Sequence, residues 1–267
     1  MIYHGNLSKM NVEHEDPILY RLKMDEKDVV MNDLIGNRIS IEFTGIIHCI
    51  ACGKVTKKAF GQGFCYPCFM NSPLNSECII RPELCEAHLG KGRDPEWEAE
   101  HHNQPHIVYL ALTSGVKVGV TREDQVPVRW IDQGAWKAIK LARTPYRQIA
   151  GQIEISLKNF LTDKTPWQKM LKNEMDLSAD LAAVKEIISH KMEPSFGRYL
   201  IPEENEILEF NYPVLRYPEK VKSLSPDKNP SIHAILTGIR GQYLMFNYNE
   251  VLNIRSNSGY EIEFTVN

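Results

Sequence analysis

No apolar run in this 267-residue chain approaches the roughly 20 residues that a membrane-spanning helix needs. The opening MIYHGNLSKMNVEHEDP holds no apolar segment of the signal-peptide kind, so the expected compartment is the cytoplasm and no membrane partner is expected. An excess of positive charge is also lacking. The net charge is −3, so whole-chain electrostatics does not favour nucleic acid. No internal repeat or low-complexity tract is visible. Cysteine is missing from most of the chain, and all six residues fall between Cys49 and Cys85. In a reducing compartment, thiols gathered in this way bind metal more often than they pair.

The length suggests two or three small domains, and the pattern along the chain is α+β. Residues 1–48 hold a strand start at Pro17-Ile18-Leu19-Tyr20 and an alternating strand at Arg38–Phe43. These N-terminal strands are expected to pack with a C-terminal β domain. Residues 49–105 are rich in Gly, Pro and Cys and show no sustained period, so a metal staple is expected. Residues 106–172 read as an α/β module: strand His106–Leu112, turn Thr113-Ser114-Gly115, strand Val116–Thr121, a short helix opened by Pro127 and closed by Gly134, and a strand Ala138–Ala142. An amphipathic helix follows, with Thr144 as expected N-cap, Pro145 in its first turn, and Ile149, Ile153, Leu157 and Phe160 at helical spacing. Residues 173–203 carry a helix over Asp176–His190, with Leu177, Leu181, Val184 and Ile188 on one face, and a linker bracketed by Pro194 and Pro202. Residues 204–267 show short strands between Gly and Asn turns, which predicts a small β-barrel. Charge is uneven along this order. From Ile107 to Lys172, eleven Lys/Arg stand against five Asp/Glu, a local +6 inside a chain of −3.

Cys49-x2-Cys52 and Cys65-x2-Cys68 are two thiolate knuckles separated by twelve residues. Each wraps two sulfurs onto one ion, and together they make a closed tetrahedral zinc site with a structural role. Buried free thiols, disulfides and an iron–sulfur cluster are the alternatives left by spacing alone. A second constellation offers Cys78, Cys85 and His88, with His101 or His102 as the fourth ligand of a second zinc ion. Its plainer reading is two small core cysteines and solvated histidines.

The runs CIACGKVTKKAFGQGFCYPCF, RPELCEAHLGKGRDPEWEAEH, PHIVYLALTSGVKVGVTR and RWIDQGA, with GIRGQYLMF and NIRSNSGY, resemble a bacterial family catalogued as domain of unknown function 2797. That resemblance implies no activity, but it favours His102 over His101. Residues 106–163 are more distantly similar to the GIY-YIG nuclease module. In that family two strand tyrosines lie by the scissile phosphate, a helix arginine stabilises its charge, and a glutamate on the second helix holds a divalent ion. The resemblance implies Tyr109 for the first tyrosine, Arg129 for the arginine and Glu154 for the ligand of Mg²⁺ or Mn²⁺. Gly119 matches the last glycine of the motif, Ile107 replaces the first glycine, and Lys117 stands at the second tyrosine. The family's late Asn has no clear counterpart near Asp163.

Each position also has an ordinary explanation. Tyr109 suits a core strand, Arg129 can pair with Asp124 or Asp132, and Glu154 has Lys158 one turn on. Trp130 and Trp136 are candidates for base stacking or for core packing. Two functions follow: a zinc-stapled protein that binds nucleic acid, with or without phosphodiester hydrolysis, and a non-catalytic module that presents its knuckles to a protein partner. A zinc hydrolase requires that the Cys78/Cys85/His88 site keep an open position.

Overall fold

The structure is a computed structural model and describes residues 1–162 and 164–266. In chain order, β1 (Ile2–Asn6), β2 (Asn11–Glu13), β3 (Leu19–Met24), β4 (Lys27–Val30) and β5 (Arg38–Ile47) come first. Helices α1 (Tyr66–Asn71) and α2 (Pro95–His102) follow. Next are β6 (His106–Leu112), β7 (Val116–Arg122), α3 (Val128–Asp132), β8 (Lys137–Thr144), α4 (Arg147–Leu157), α5 (Trp167–Leu171) and α6 (Leu181–Lys191). Strands β9 (Leu208–Glu209), β10 (Lys222–Leu224), β11 (Ser231–Arg240), β12 (Tyr243–Phe246), β13 (Glu250–Asn253) and β14 (Tyr260–Val266) end the list. The chain divides into two compact units, one of residues 1–70, 171–173 and 210–267, the other of 71–170 and 174–209.

The first unit is built on a seven-stranded sheet in the order β1-β14-β5-β11-β12-β13-β10, beside a three-stranded sheet β2-β3-β4. Strand β5 lies between β14 and β11, with Ile41 opposite both Phe264 and Ile232. Ile39, Ile41, Ile232, Ala234, Ile262 and Phe264 are buried, the period-two pattern of a sheet with one face on a core. The small barrel expected over 204–267 is not what forms. The sheet is open, with β1 at one edge and β10, paired in parallel to β13, at the other. Regular short strands do not distinguish a closed sheet from an open one, because closure is decided by which distant strands pair.

The second unit holds the antiparallel sheet β7-β6-β8-β9. All seven residues of β6 are buried, so this strand reads as a continuous apolar run rather than an alternation. Helix α4 lays Ile149, Ile153 and Leu157 into a core with Val108, Leu110, Ile139 and Leu141, and α6 adds Leu181 and Ile188. Each such side chain contributes about 1.5–3 kcal/mol by leaving water.

Two helix starts differ from the sequence reading. Thr144 is the last residue of β8, and its hydroxyl donates to His106 O (3.3 Å) and Tyr146 O (3.1 Å). Tyr146 is the N-cap of α4 instead. Helix α6 starts at Leu181, because Asp180 accepts from the backbone of Ala182 and Ala183, and Leu177 lies outside it, exposed. Among the described residues no helix is long and apolar enough to cross a membrane. Asp163 lies outside the described residues.

Candidate metal centres and a half-buried polar cluster

The first centre belongs to the first unit. Gly53, in the left-handed region at φ 70°, closes a turn in which Gly53 N donates to Cys49 O (2.8 Å), and Cys49 N donates to Lys54 O (2.9 Å). The turn brings Cys52 back beside Cys49. Cys65 precedes α1 and Cys68 sits within it. The four sulfurs all lie within 4.8 Å of one another, and Cys52 Sγ stands 3.9 Å from Cys65 Sγ. Tetrahedral zinc at about 2.3 Å from each sulfur requires S···S separations of about 3.8 Å. The four cysteines therefore can hold a zinc ion. Thiols this crowded do not all ionise without a cation among them. Hydrogen bonds with Cys65 and Cys52 push Cys68 up to about 12. Burial acts to raise Cys49 too, yet the backbone N–H groups of Cys65, Ala51 and Cys52 bring it down to about 6.

The second centre belongs to the second unit. Cys78, Cys85 and His102 place their donor atoms within 4.8 Å of one another, and all three are buried. Cys78 Sγ is 3.7 Å from His102 Nδ1. The bond from Cys78 draws the Cys85 thiol down to about 4. Helix α2 supplies His102, and its start is well defined: Asp94 caps the helix by accepting from Trp97 N (3.1 Å), and Pro95 occupies the first turn. His101 is turned away from the cluster. Its ring stacks on Trp97 at 4.0 Å, and its Nδ1 pairs with Trp97 O at 2.8 Å. His88 does not join the trio; its ring lies flat on Tyr146, 4.2 Å away and 5° from parallel.

The third feature is a half-buried polar cluster inside the α/β unit. Tyr109 on β6 faces Gly119 on β7, where any Cβ would stand 2.5 Å from the tyrosine hydroxyl oxygen. Between Val108 and Tyr109 the pairing with β8 slips by a residue, a bulge of the kind that re-aims a side chain. Gln133, just past α3, joins the group: its amide N–H donates to the Tyr109 hydroxyl, its amide oxygen accepts from the Lys117 ammonium, and Nε2 also donates to Arg129 O at 2.9 Å. Burial raises the Tyr109 phenol above its usual pKa, Arg129 pulls it down through charge and a hydrogen bond, and the Glu154 carboxylate adds to the rise. Gln133 thus joins Tyr109 and Lys117 from two strands, and Arg129 and Glu154, from two helices, act on the Tyr109 phenol through their charge. Trp130 is core, buried against Tyr109 at 5.7 Å, and is not available for base stacking. Asp124 pairs with Arg122 (3.1 Å).

Two members were missed in the sequence. Gln133 follows Arg129 by four residues, a spacing that puts both on one side of a turn. Arg147 is the other. Its guanidinium donates to Cys78 O (3.0 Å) and Ile79 O (3.1 Å), tying α4 to the loop of the second centre. Gly151 on the same helix lies so close to that loop that a Cβ would be 2.2 Å from Glu83 N.

The model of the family described as Protein of unknown function (DUF2797) matches residues 36–262. No curated protein matches the chain, and no solved structure does.

Proposed function

The chain belongs to the DUF2797 family, and we propose that within it the α/β unit is a phosphate-handling module that acts on nucleic acid, with zinc sites as its structural staples. The observation that carries the reading is the half-buried group in which Gln133 bonds both Tyr109 and Lys117, with Arg129 and Glu154 near enough to act on the Tyr109 phenol. Two cations and a phenol beside one carboxylate suit a phosphodiester. Lys117 and Arg129 neutralise the phosphate, Tyr109 orients it, and Gln133 holds tyrosine and lysine in register. Glu154 is the one carboxylate in this set and is the ligand we assign to Mg²⁺ or Mn²⁺, an ion that lowers the pKa of bound water and polarises the phosphoryl oxygen. The order of strands and helices, β6-β7-α3-β8-α4, supports the likeness to the GIY-YIG nuclease module, and the +6 balance of residues 107–172 supports contact with a polyanion.

The experiment is incubation of the zinc-loaded chain with DNA and RNA plus Mg²⁺ or Mn²⁺, beside Glu154→Gln. Cleavage by the wild type alone, falling at least about 100-fold in the variant, is expected. Equal cleavage by both assigns the activity to a contaminant, and neither cleavage nor salt-dependent binding removes the reading. A second reading, a non-catalytic module for a protein partner, draws on the exposed Ile80, Leu84 and Leu89 around the second centre. It gains if nucleic acid does not bind and substitution of those three residues abolishes capture of a defined protein partner.

A further inference from the structure

We infer that the second centre is a four-coordinate zinc site of two cysteines, one histidine and one glutamate, in which Glu98 and not His88 supplies the fourth ligand. Glu98 stands one turn before His102 on α2, so both side chains leave the same face of the helix. Its carboxylate is almost wholly buried, at 2% exposure, as is the His102 ring at 3%. One oxygen is already committed: Oε1 accepts from Ser76 Oγ at 2.7 Å and from Arg93 N at 3.0 Å. That grip turns Oε2 toward the cluster, 4.0 Å from Cys78 Sγ and 3.6 Å from His102 Nδ1. A tetrahedral zinc ion with ordinary bond lengths sets donor separations of about 3.5 Å for O···S, 3.3 Å for O···N and 3.6 Å for S···N. Glu98 stands just outside the trio whose donor atoms are mutually within 4.8 Å. Both separations are near those values, so the donor that leaves Glu98 outside the group is Cys85 Sγ, and coordination must close that gap by about 1 Å or more.

Two further observations favour the carboxylate. A buried carboxylate needs a positive partner; its neighbours are two thiols, the His102 ring, the Ser76 hydroxyl and the Arg93 backbone N–H, none a fixed positive charge, and a dication at their centre supplies one. The loop also closes over Glu98 at Gly92, whose φ of 155° and lack of a side chain leave the room: a Cβ there would be 2.4 Å from Glu98 Cδ. His88 is the competitor. Its Nδ1 is buried and has no hydrogen-bond partner among the described residues, but its ring is held flat on Tyr146. With Glu98 in place the site has four protein ligands, a closed structural centre with no position left for substrate.

The test uses the full chain. Zinc is counted per chain after dialysis against a chelator that leaves the wild type with two ions. Glu98→Gln keeps the shape and the oxygen that Ser76 and Arg93 hold, but it turns an NH₂ toward the ion. The expected result is one zinc per chain in Glu98→Gln and in Cys85→Ser, and two in His88→Gln. Retention of two ions in Glu98→Gln, or loss of one in His88→Gln, overturns the assignment. A wild type that holds a single ion, released by Cys52→Ser, overturns the site altogether. A measurement that leaves Glu98 unaltered guards against a variant that fails to fold. X-ray absorption at the zinc edge of Cys52→Ser, which retains only the second ion, should show two sulfurs and one imidazole. Two imidazoles would return the ligand to His88.

Discussion

Replacing Gly151 by alanine sets two magnitudes against each other. Gly151 lies inside α4, and on helix propensity alone alanine there is better by about 1 kcal/mol. The added Cβ, however, would stand 2.2 Å from Glu83 N, 2.5 Å from Pro82 C and 2.9 Å from Glu83 Cα. Carbon contacts are relaxed at about 3.5 Å or more, so the helix and the turn must separate by about 1 Å. The atoms in the way are backbone and have no rotamer to escape into. Their segment is tied at both ends, by Cys85 N to Pro82 O (3.1 Å) and by Arg147 to Cys78 O and Ile79 O. Overpacking of this kind costs about 1–3 kcal/mol and occasionally more, and the upper end applies where only backbone can yield. The net expectation is a loss of about 2 kcal/mol. Urea unfolding followed by tryptophan fluorescence reads it selectively, because Trp97, Trp130, Trp136 and Trp167 all belong to the unit that contains α4. With a slope of about 1–3 kcal/mol per molar, the midpoint falls by about 1 M. Gly197→Ala is the control: no heavy atom lies within 4 Å of its Cβ position, and its change stays within about 0.5 kcal/mol. A midpoint for Gly151→Ala at or above that of the wild type would show that propensity wins. The close approach of the Glu154 helix to the Pro82–Leu84 turn would then be refuted.

Arg147→Met removes both bonds to the Cys78 and Ile79 carbonyls and should lower the same tryptophan-reported stability by about 2 kcal/mol; no loss would show that these bonds are replaced by water. Cys52→Ser should release one zinc per chain while the ion count of the second centre stays intact, as metal analysis before and after the substitution will tell. Burial holds the His106 imidazole down to about 3, against a weaker upward pull from its bond to Gln104 O. The folded chain then keeps His106 neutral while the unfolded chain takes a proton below about 6.5, so this residue's contribution is full above that pH. It declines by up to about 1.4 kcal/mol per unit as pH falls from there toward 3. Nitrogen NMR at pH 5.5 should find a neutral His106 ring protonated at Nδ1, which lies 2.7 Å from Gln104 O; an imidazolium signal there contradicts the burial argument.

Local pattern carried much of the second unit. The apolar run of β6, the turn at Thr113-Ser114-Gly115, and the stripe Ile149/Ile153/Leu157 each have one physical solution, and the chain adopts it, although Phe160, expected in that stripe, lies past the end of α4 and is exposed. The two CxxC knuckles were legible for the same reason, because their geometry is set within a few residues. What failed depended on distant partners. Thr144 looked like a cap, but its backbone is taken by pairing opposite His106 in the sheet. The barrel failed because nothing in a strand says whether its sheet closes. His88 sits in a CxxH spacing and Glu98 in a run of charge, yet the fold stacks the histidine on Tyr146 and buries the carboxylate beside Cys78. Gln133 carried no charge to notice, and its bonds to Tyr109 and Lys117 depend on two strands that lie before it in the chain.

The place of β14 between β1 and β5 has a consequence in time. A ribosome delivers β1 and β5 early and β14 only after the whole stretch from residue 71 to residue 209 has emerged. That stretch holds every strand of its own sheet and can close on itself as soon as β9 is out. The two early strands meanwhile wait with bare edges, and such edges invite pairing with other chains. The seven-stranded sheet is therefore the late and exposed step of biosynthesis, and contacts this far apart in the chain are slow to form.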